Sequence, residues 1–159
     1  MPGERFKARR SEAKLASTLC LQEEGYDPRI ITFGQELPIN GDIIASLDLE
    51  SGFFRDLSEK NLQYFQLLCR QLKKQNLLWL MPPFQINCID PHGSQLLGMI
   101  RTARSELALF MTTLEIDPNA KGFVHHVVQI LRETRKETSN GALYPDREYV
   151  VHDDLIKVS

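Results

Sequence analysis

NLLWLMPPFQINCIDPHGSQLLGMIRTARSELALFMTTLEIDP, residues 76–118, is the stretch that decides the fold. Asn76–Met81 is a short, nearly continuous apolar run, and Pro82 and Pro83 stop it from continuing in a hydrogen-bonded ladder, so it predicts a buried strand. Asp90 and Pro91 then supply a capping side chain and a preset φ at a helix start. Leu96, Ile100, Ala103 and Leu107 recur on one face of that helix, with Arg101 and Arg104 off its centre. Leu107–Ile116 gives the next apolar strand, and Asp117-Pro118 repeats the helix-opening dipeptide. Strand, helix and strand at this spacing make a βαβ unit, which requires a parallel sheet covered by helices.

The flanks extend the same alternation. Upstream, residues 11–24 read as a helix opened by Ser11 and stopped at Gly25, and Arg29–Phe33 as a β-branched strand. Asp42–Leu49 reads as a second buried strand. A helix capped by Ser58 follows, with Leu57 and Leu62 placed as a hydrophobic staple and Leu62, Phe65, Cys69 and Leu72 on one face. Downstream, Phe123, Val124, Val127, Val128 and Leu131 face the core from a helix ending near Arg132, Arg135 and Lys136. A loop over SNGALYPD leads to the short strands EYVV and LIKV. The expected architecture is a single truncated Rossmann-like α/β domain with a mainly parallel sheet and helices on both faces, over 11–159. Residues 1–10 are expected to be a flexible basic segment.

Composition narrows the function classes. The chain has 159 residues, 42% of them hydrophobic, enough for one core. Lys and Arg number 19 against 21 Asp and Glu, so the net charge of -2 gives no field for a polyanion, and nucleic acid is not an expected partner. No apolar stretch approaches membrane-spanning length and no apolar run follows the basic start, so neither a membrane span nor a secretory signal is expected. Cys20, Cys69 and Cys88 are odd in number and without CxxC spacing, the pattern of reduced thiols in the cytosol.

The residues that suggest chemistry do not assemble a complete site. Dinucleotide binding needs glycines after a strand so that backbone amides approach a pyrophosphate, and no GxGxxG occurs. Gly34 is followed by Gln35 and Glu36, whose carboxylate repels phosphate, so Gly34 reads as a structural turn. A short-chain reductase pairs a tyrosine with a lysine four residues later to lower the phenol's pKa. Tyr26, Tyr64, Tyr144 and Tyr149 are followed there by Ile30, Leu68, Glu148 and Asp153. Tyr64 is expected to pack beside its helix, and Tyr144 and Tyr149 to lie in a loop and at a strand edge. His125 and His126 diverge by about 100° on a helix and suit a buried–exposed pair better than one metal ion. His92 near a helix start lacks a glycine cradle, and His152 with Asp153 and Asp154 forms at most a weak metal set. No GxSxG elbow or activated cysteine turn occurs. Arg101 and Arg104, three apart on a helix and near Glu106, admit anion binding, but without a phosphate loop ion pairing that orients the helix is favoured.

The run GSQLLGMIRTARSELALFMTTLEID, Gly93–Asp117, resembles a segment of fungal highly reducing polyketide synthases just upstream of the enoylreductase. That family shows LGMxRTxRSEL followed by a spacer and TLELD. Leu97, Gly98, Met99, Arg101, Thr102, Arg104, Ser105, Glu106 and Leu107 match its first part, and Thr113, Leu114, Glu115 and Asp117 its second, with Ile116 in place of leucine. DIIASLDLESGFFRDLSEKNLQYFQ, LLWLMPPFQINCIDP and PDREYVVHDDLIKV resemble the family's flanking motifs in the same order, so the resemblance extends from about Leu19 onward.

The resemblance implies a structural, truncated ketoreductase-like subdomain without catalytic, cofactor or metal residues. Its implied partners are the synthase's active ketoreductase or enoylreductase. No DTACSS-like nucleophile, GHSxG elbow or carrier-protein DSL serine is present, and DDL at Asp153–Leu155 has no serine. The expectation is a non-catalytic fragment or split component of polyketide biosynthesis that acts by docking. The alternative is a small NADPH-dependent oxidoreductase with an unconventional site. A third reading is a regulatory module whose basic N-terminus recruits a partner.

Overall fold

The computed structural model describes residues 18–55, 57–72, 75–86, 93–140 and 147–158. The chain forms two compact units, Met1–Ile31 and Thr32–Ser159. In the first, a helix covers 18–23 and stops at Gly25, whose φ of 85° is the left-handed conformation that favours glycine. Residues 11–17 of the expected 11–24 helix lie outside the described residues, and Glu24 is already in the turn.

The second unit is built on a five-stranded sheet whose strands lie side by side in chain order. They are β1 (Ile43–Ala45), β2 (Leu77–Met81), β3 (Met111–Glu115), β4 (Glu148–His152) and β5 (Leu155–Val158). The first four are parallel and β5 returns antiparallel. The helices are α1 (Leu47–Ser51), α2 (Glu59–Gln71), α3 (Gly93–Leu107) and α4 (Phe123–Asn140). The α/β class read from the sequence is the class observed.

Every residue of β2 is buried, because α-helices cover both of its faces. Leu77, Trp79 and Met81 join Phe65, Leu68 and Cys69 of α2 and Leu96, Leu97, Ile100 and Ala103 of α3 in one core. Leu78 and Leu80 face the other way, into a core made with Leu114, Tyr149 and Val127, Ile130 and Leu131 of α4. Trp79 lies against Phe53, Phe54 and Phe65 at centroid distances of 6.0, 5.5 and 5.9 Å. Its indole donates to Asp48 Oδ2 at 2.7 Å, which satisfies the one polar atom of a fully buried ring.

Because the four parallel strands advance in one direction while the covering helix changes face after β3, the β3–α4–β4 crossover has the opposite hand to the two before it. Such crossovers nearly always share one hand. At the C-terminal end of the sheet the chain therefore leaves β2 towards one face and β3 towards the other. That divergence is where open α/β sheets form ligand crevices.

Several expectations are corrected. Arg29–Phe33 is not a strand: Ile30 and Ile31 are 69% and 38% exposed, and β propensity without a partner to pack against is too weak to make one. The expected strand over Asp42–Leu49 shrinks to β1, and Leu47–Ser51 is helical. Asp48 turns inward to accept from Phe54 N at 3.3 Å, and Gly52 closes the turn at φ 59°. Leu107 belongs to α3 and is 55% exposed, so β3 begins only at Met111, after Ala108 at φ 51°. The Asp117-Pro118 dipeptide opens a turn, with Asp117 Oδ1 accepting from Asn119 N at 2.8 Å, and α4 starts later at Phe123. That helix runs through Asn140, past the expected end at Lys136. Ser58 does cap α2, accepting from Asn61 N at 3.1 Å.

Candidate functional site

The two motif arginines converge on a residue far away in sequence. Arg101 Nε and Nη2 donate to the two carboxylate oxygens of Glu148 at 2.9 and 2.6 Å, and Arg104 Nη2 donates to Glu148 Oε1. The i, i+3 spacing on α3 sets both guanidinium groups over the first residue of β4, so the clamp ties the helix to the second strand after it. Glu148 and Arg104 side chains are only 10% and 18% exposed, whereas Arg101 is 57% exposed. Hydrogen bonding from Arg101, followed by Arg104, holds the Glu148 carboxyl below its ordinary range despite burial, and the same contact raises Arg101. The partner is Glu148 rather than Glu106, which is exposed.

At the divergence of the crossovers lies an open crevice of about 550 Å3. Pro83 and Ile86 line it behind β2, Asp117, Ala120 and Lys121 behind β3, and residues 150–154 along β4 and its turn. Three carboxylates, those of Asp117, Asp153 and Asp154, surround it with the cation Lys121. The loop behind β2 carries prolines and no glycine, and its shape is set from below. Buried Glu115 Oε2 accepts from Phe84 N and Gln85 N at 3.0 and 2.9 Å, while Glu115 Oε1 has no hydrogen-bond partner. This chemistry is adverse to a pyrophosphate, which needs free amides at a helix start and no nearby carboxylates.

The remaining candidates are dispersed. His126 is buried and His125 exposed, as the helical spacing implies. His126 Nε2 lies 2.9 Å from Asp154 Oδ1, and His152 Nδ1 3.0 Å from Asp153 Oδ2. Among the described residues no group of three or more potential metal ligands forms. Tyr64 packs edge-on against Phe33 at 5.7 Å and lies over Gly34, where an added Cβ would stand 2.9 Å from its ring. Tyr149 is a core residue at 6% exposure, not a strand-edge one, because β5 pairs outside β4. Cys69 is buried, and burial pushes its thiol up to about 11. Cys20 is half-buried and free. Tyr144, His92 and Cys88 lie outside the described residues. Sequence reading missed Glu148, Glu115 and Asp48, three acidic residues turned inward. All three lie in stretches that carry the family resemblance, but nothing local marks them as turned inward, because an acidic residue at or just after a strand is usually solvated.

Comparison with known proteins finds similar segments within large synthases. It is 32% identical over 138 residues to the highly reducing polyketide synthase gloL of Glarea lozoyensis, a match covering 87% of the chain and 6% of the synthase. It is also 32% identical to the highly reducing polyketide synthase VdtX of Byssochlamys spectabilis, over 91% of the chain and 7% of that protein. The squalestatin hexaketide synthase of a Phoma species is 29% identical over 84% of the chain and 6% of the synthase. Its homologues are fungal highly reducing polyketide synthases. The chain spans about 6% of the length of these relatives. No protein-family model and no solved structure matches it. Among the described residues no helix is long and apolar enough to cross a membrane.

Proposed function

We propose that residues 11–159 form a structural, ketoreductase-like subdomain of the highly reducing polyketide synthase type, without catalytic or cofactor residues of its own. Its role is to hold the active ketoreductase or enoylreductase of a synthase in polyketide biosynthesis. One observation carries the reading: Arg101 and Arg104, the most distinctive charged residues of the shared motif, are both committed to Glu148 inside the domain. Guanidinium groups whose donors are already engaged by a buried carboxylate serve as fasteners between the elements that carry them. The crevice chemistry supports the same reading, because carboxylates stand where a dinucleotide site places glycine amides.

Co-purification with folded ketoreductase and enoylreductase fragments of a related synthase tests the role. Capture of either fragment is the expected result, and no association of folded partners overturns it. The crevice at the crossover divergence favours a second reading, a small NADPH-dependent oxidoreductase with an unconventional site. Against it stand the missing glycine loop and the absence of a lysine four residues after any tyrosine.

A further inference from the structure

We propose that Thr32–Gly41 is a releasable strap, the chain's own ligand for a groove along α2, which opens as a unit while the sheet stays folded. The inference is independent of the docking role above. The strap precedes β1 in the chain and, among the described residues, no main-chain hydrogen bond joins it to a strand. It is held at three points instead, and they follow α2 in order. Phe33 meets Phe53 and Tyr64 edge-on at 4.9 and 5.7 Å, and Gly34, at φ 95°, brings the backbone against the Tyr64 ring. Leu37 N donates to Gln71 Oε1 at 3.0 Å in the last turn of the helix. Just past the helix, Gln75 Nε2 donates to the carbonyls of Pro38 and Gly41 at 2.9 and 3.2 Å. From Gly34 to Leu37 an extended chain reaches about 10 Å, and the rise of α2 from Tyr64 to Gln71 is also about 10 Å, so the strap lies along the helix.

These contacts have the form of peptide recognition. Phe33 fills an aromatic cleft, and both glutamines bind main-chain groups of the strap, one as acceptor and one as donor. The same contacts leave the closed state shallow. Phe33 and Leu37 are only half-buried, the Gln75 bonds are open to water, and Ile39 is 91% exposed, so little apolar burial offsets the entropy of ordering the strap. Gly41, at φ 112°, is the hinge, because the next residue is fixed: the Asp42 carboxylate accepts from Arg135 and Asn76. Opening stops there and uncovers the Tyr64 ring, the edge of Phe53 and the carboxamides of Gln71 and Gln75 on elements that stay packed.

Native-state hydrogen exchange of the 15N-labelled full chain in rising, sub-denaturing urea tests the release. The Leu37 amide is expected to exchange about 100-fold or more faster than the Leu77 amide, which donates to Phe110 O at 2.8 Å, and with little urea dependence. Glu148→Gln should speed Leu77 and leave Leu37 unchanged, because local opening does not pass through loss of the clamp. Phe33→Ala should speed exchange at Leu37, on the next turn of contacts, about ten-fold or more, because the strap opens as a unit. An unprotected Leu37 amide, a Leu37 rate that follows Leu77 in urea or in Glu148→Gln, or a Leu37 rate indifferent to Phe33→Ala overturns the proposal. The groove itself is probed by titrating the 15N-labelled Phe33→Ala chain with Ac-Thr-Phe-Gly-Gln-Glu-Leu-Pro-Ile-amide, the sequence of residues 32–39. Saturable shifts at Tyr64 and Gln71, lost when alanine replaces the peptide's phenylalanine, are expected. No shift at about 5 mM, or an equal response to the alanine peptide, also overturns the proposal. None of these readouts depends on whether synthase fragments co-purify.

Discussion

Replacing Glu148 by glutamine removes the charge from the clamp while keeping its shape, and the structure fixes the size of the effect. The carboxylate is 10% exposed and faces two guanidinium groups of unequal burial. Arg104, at 18% exposure, loses its counter-charge in a poorly solvated position, and breaking such a pair from one side costs about 3–5 kcal/mol when burial is complete. Arg101, at 57% exposure, is largely hydrated and adds about 0–1 kcal/mol. Because Arg104 keeps some solvent contact, we expect a loss of about 2–4 kcal/mol for Glu148→Gln, or about 4–16 °C in melting temperature for a chain of this size. Arg104→Gln should cost about 2 kcal/mol and Arg101→Gln under about 1 kcal/mol. Urea denaturation followed by circular dichroism at neutral pH measures all three. A cost below about 0.5 kcal/mol for Glu148→Gln, or an Arg101→Gln cost equal to that of Arg104→Gln, is incompatible with a clamp held mainly by the buried Arg104–Glu148 pair.

The same carboxyl sets an acid limb. Its folded pKa lies below the ordinary 4.5, so its stabilisation is complete above 4.5 and is lost as pH falls through the folded value; Glu148→Gln should flatten that limb in pH-dependent melts. Asp48 runs the other way: burial raises its pKa above 3.8, outweighing the hydrogen bonds from Trp79 and Phe54, so its contribution weakens as pH rises from 3.8 through the folded value. Asp48→Asn should therefore change neutral-pH stability by less than about 1 kcal/mol and alter Trp79 fluorescence, and a loss above about 3 kcal/mol contradicts this. Gly34→Ala meets a φ of 95° and the Tyr64 ring, and should cost about 1–3 kcal/mol in denaturant titration. With Cys20 and Cys88 replaced by serine, Cys69 should stay unreactive towards a thiol reagent at pH 8 until the protein is unfolded, because its thiol is buried and raised to about 11.

The parts of the fold visible in the sequence are those where local signals and burial agree. Leu77–Met81 reads as a buried strand because both faces are apolar, and Ser58 reads as a cap because its side chain has an amide three residues on to accept from. Elements set by tertiary partners were misread. Arg29–Phe33 has strand-like residues but does not join the sheet, and Asp42–Leu49 looks like one apolar run although Asp48 sits in a helical turn and accepts from Trp79. The clamp was half legible. Spacing placed Arg101 beside Arg104, but Glu148 lies 47 and 44 residues away and its inward turn depends on the β3–β4 register. The crevice needed the faces of α3 and α4, which hydrophobic periodicity alone does not assign to one side of a sheet or the other.

Isothermal titration of the folded chain with NADPH tests most directly whether this α/β domain is structural. No saturable heat is expected up to about 1 mM, because Arg101 and Arg104 are engaged by Glu148 and carboxylates line the crevice where a pyrophosphate would need amides. Stoichiometric binding with a Kd in the micromolar range, abolished by substitutions around the crevice, would contradict it.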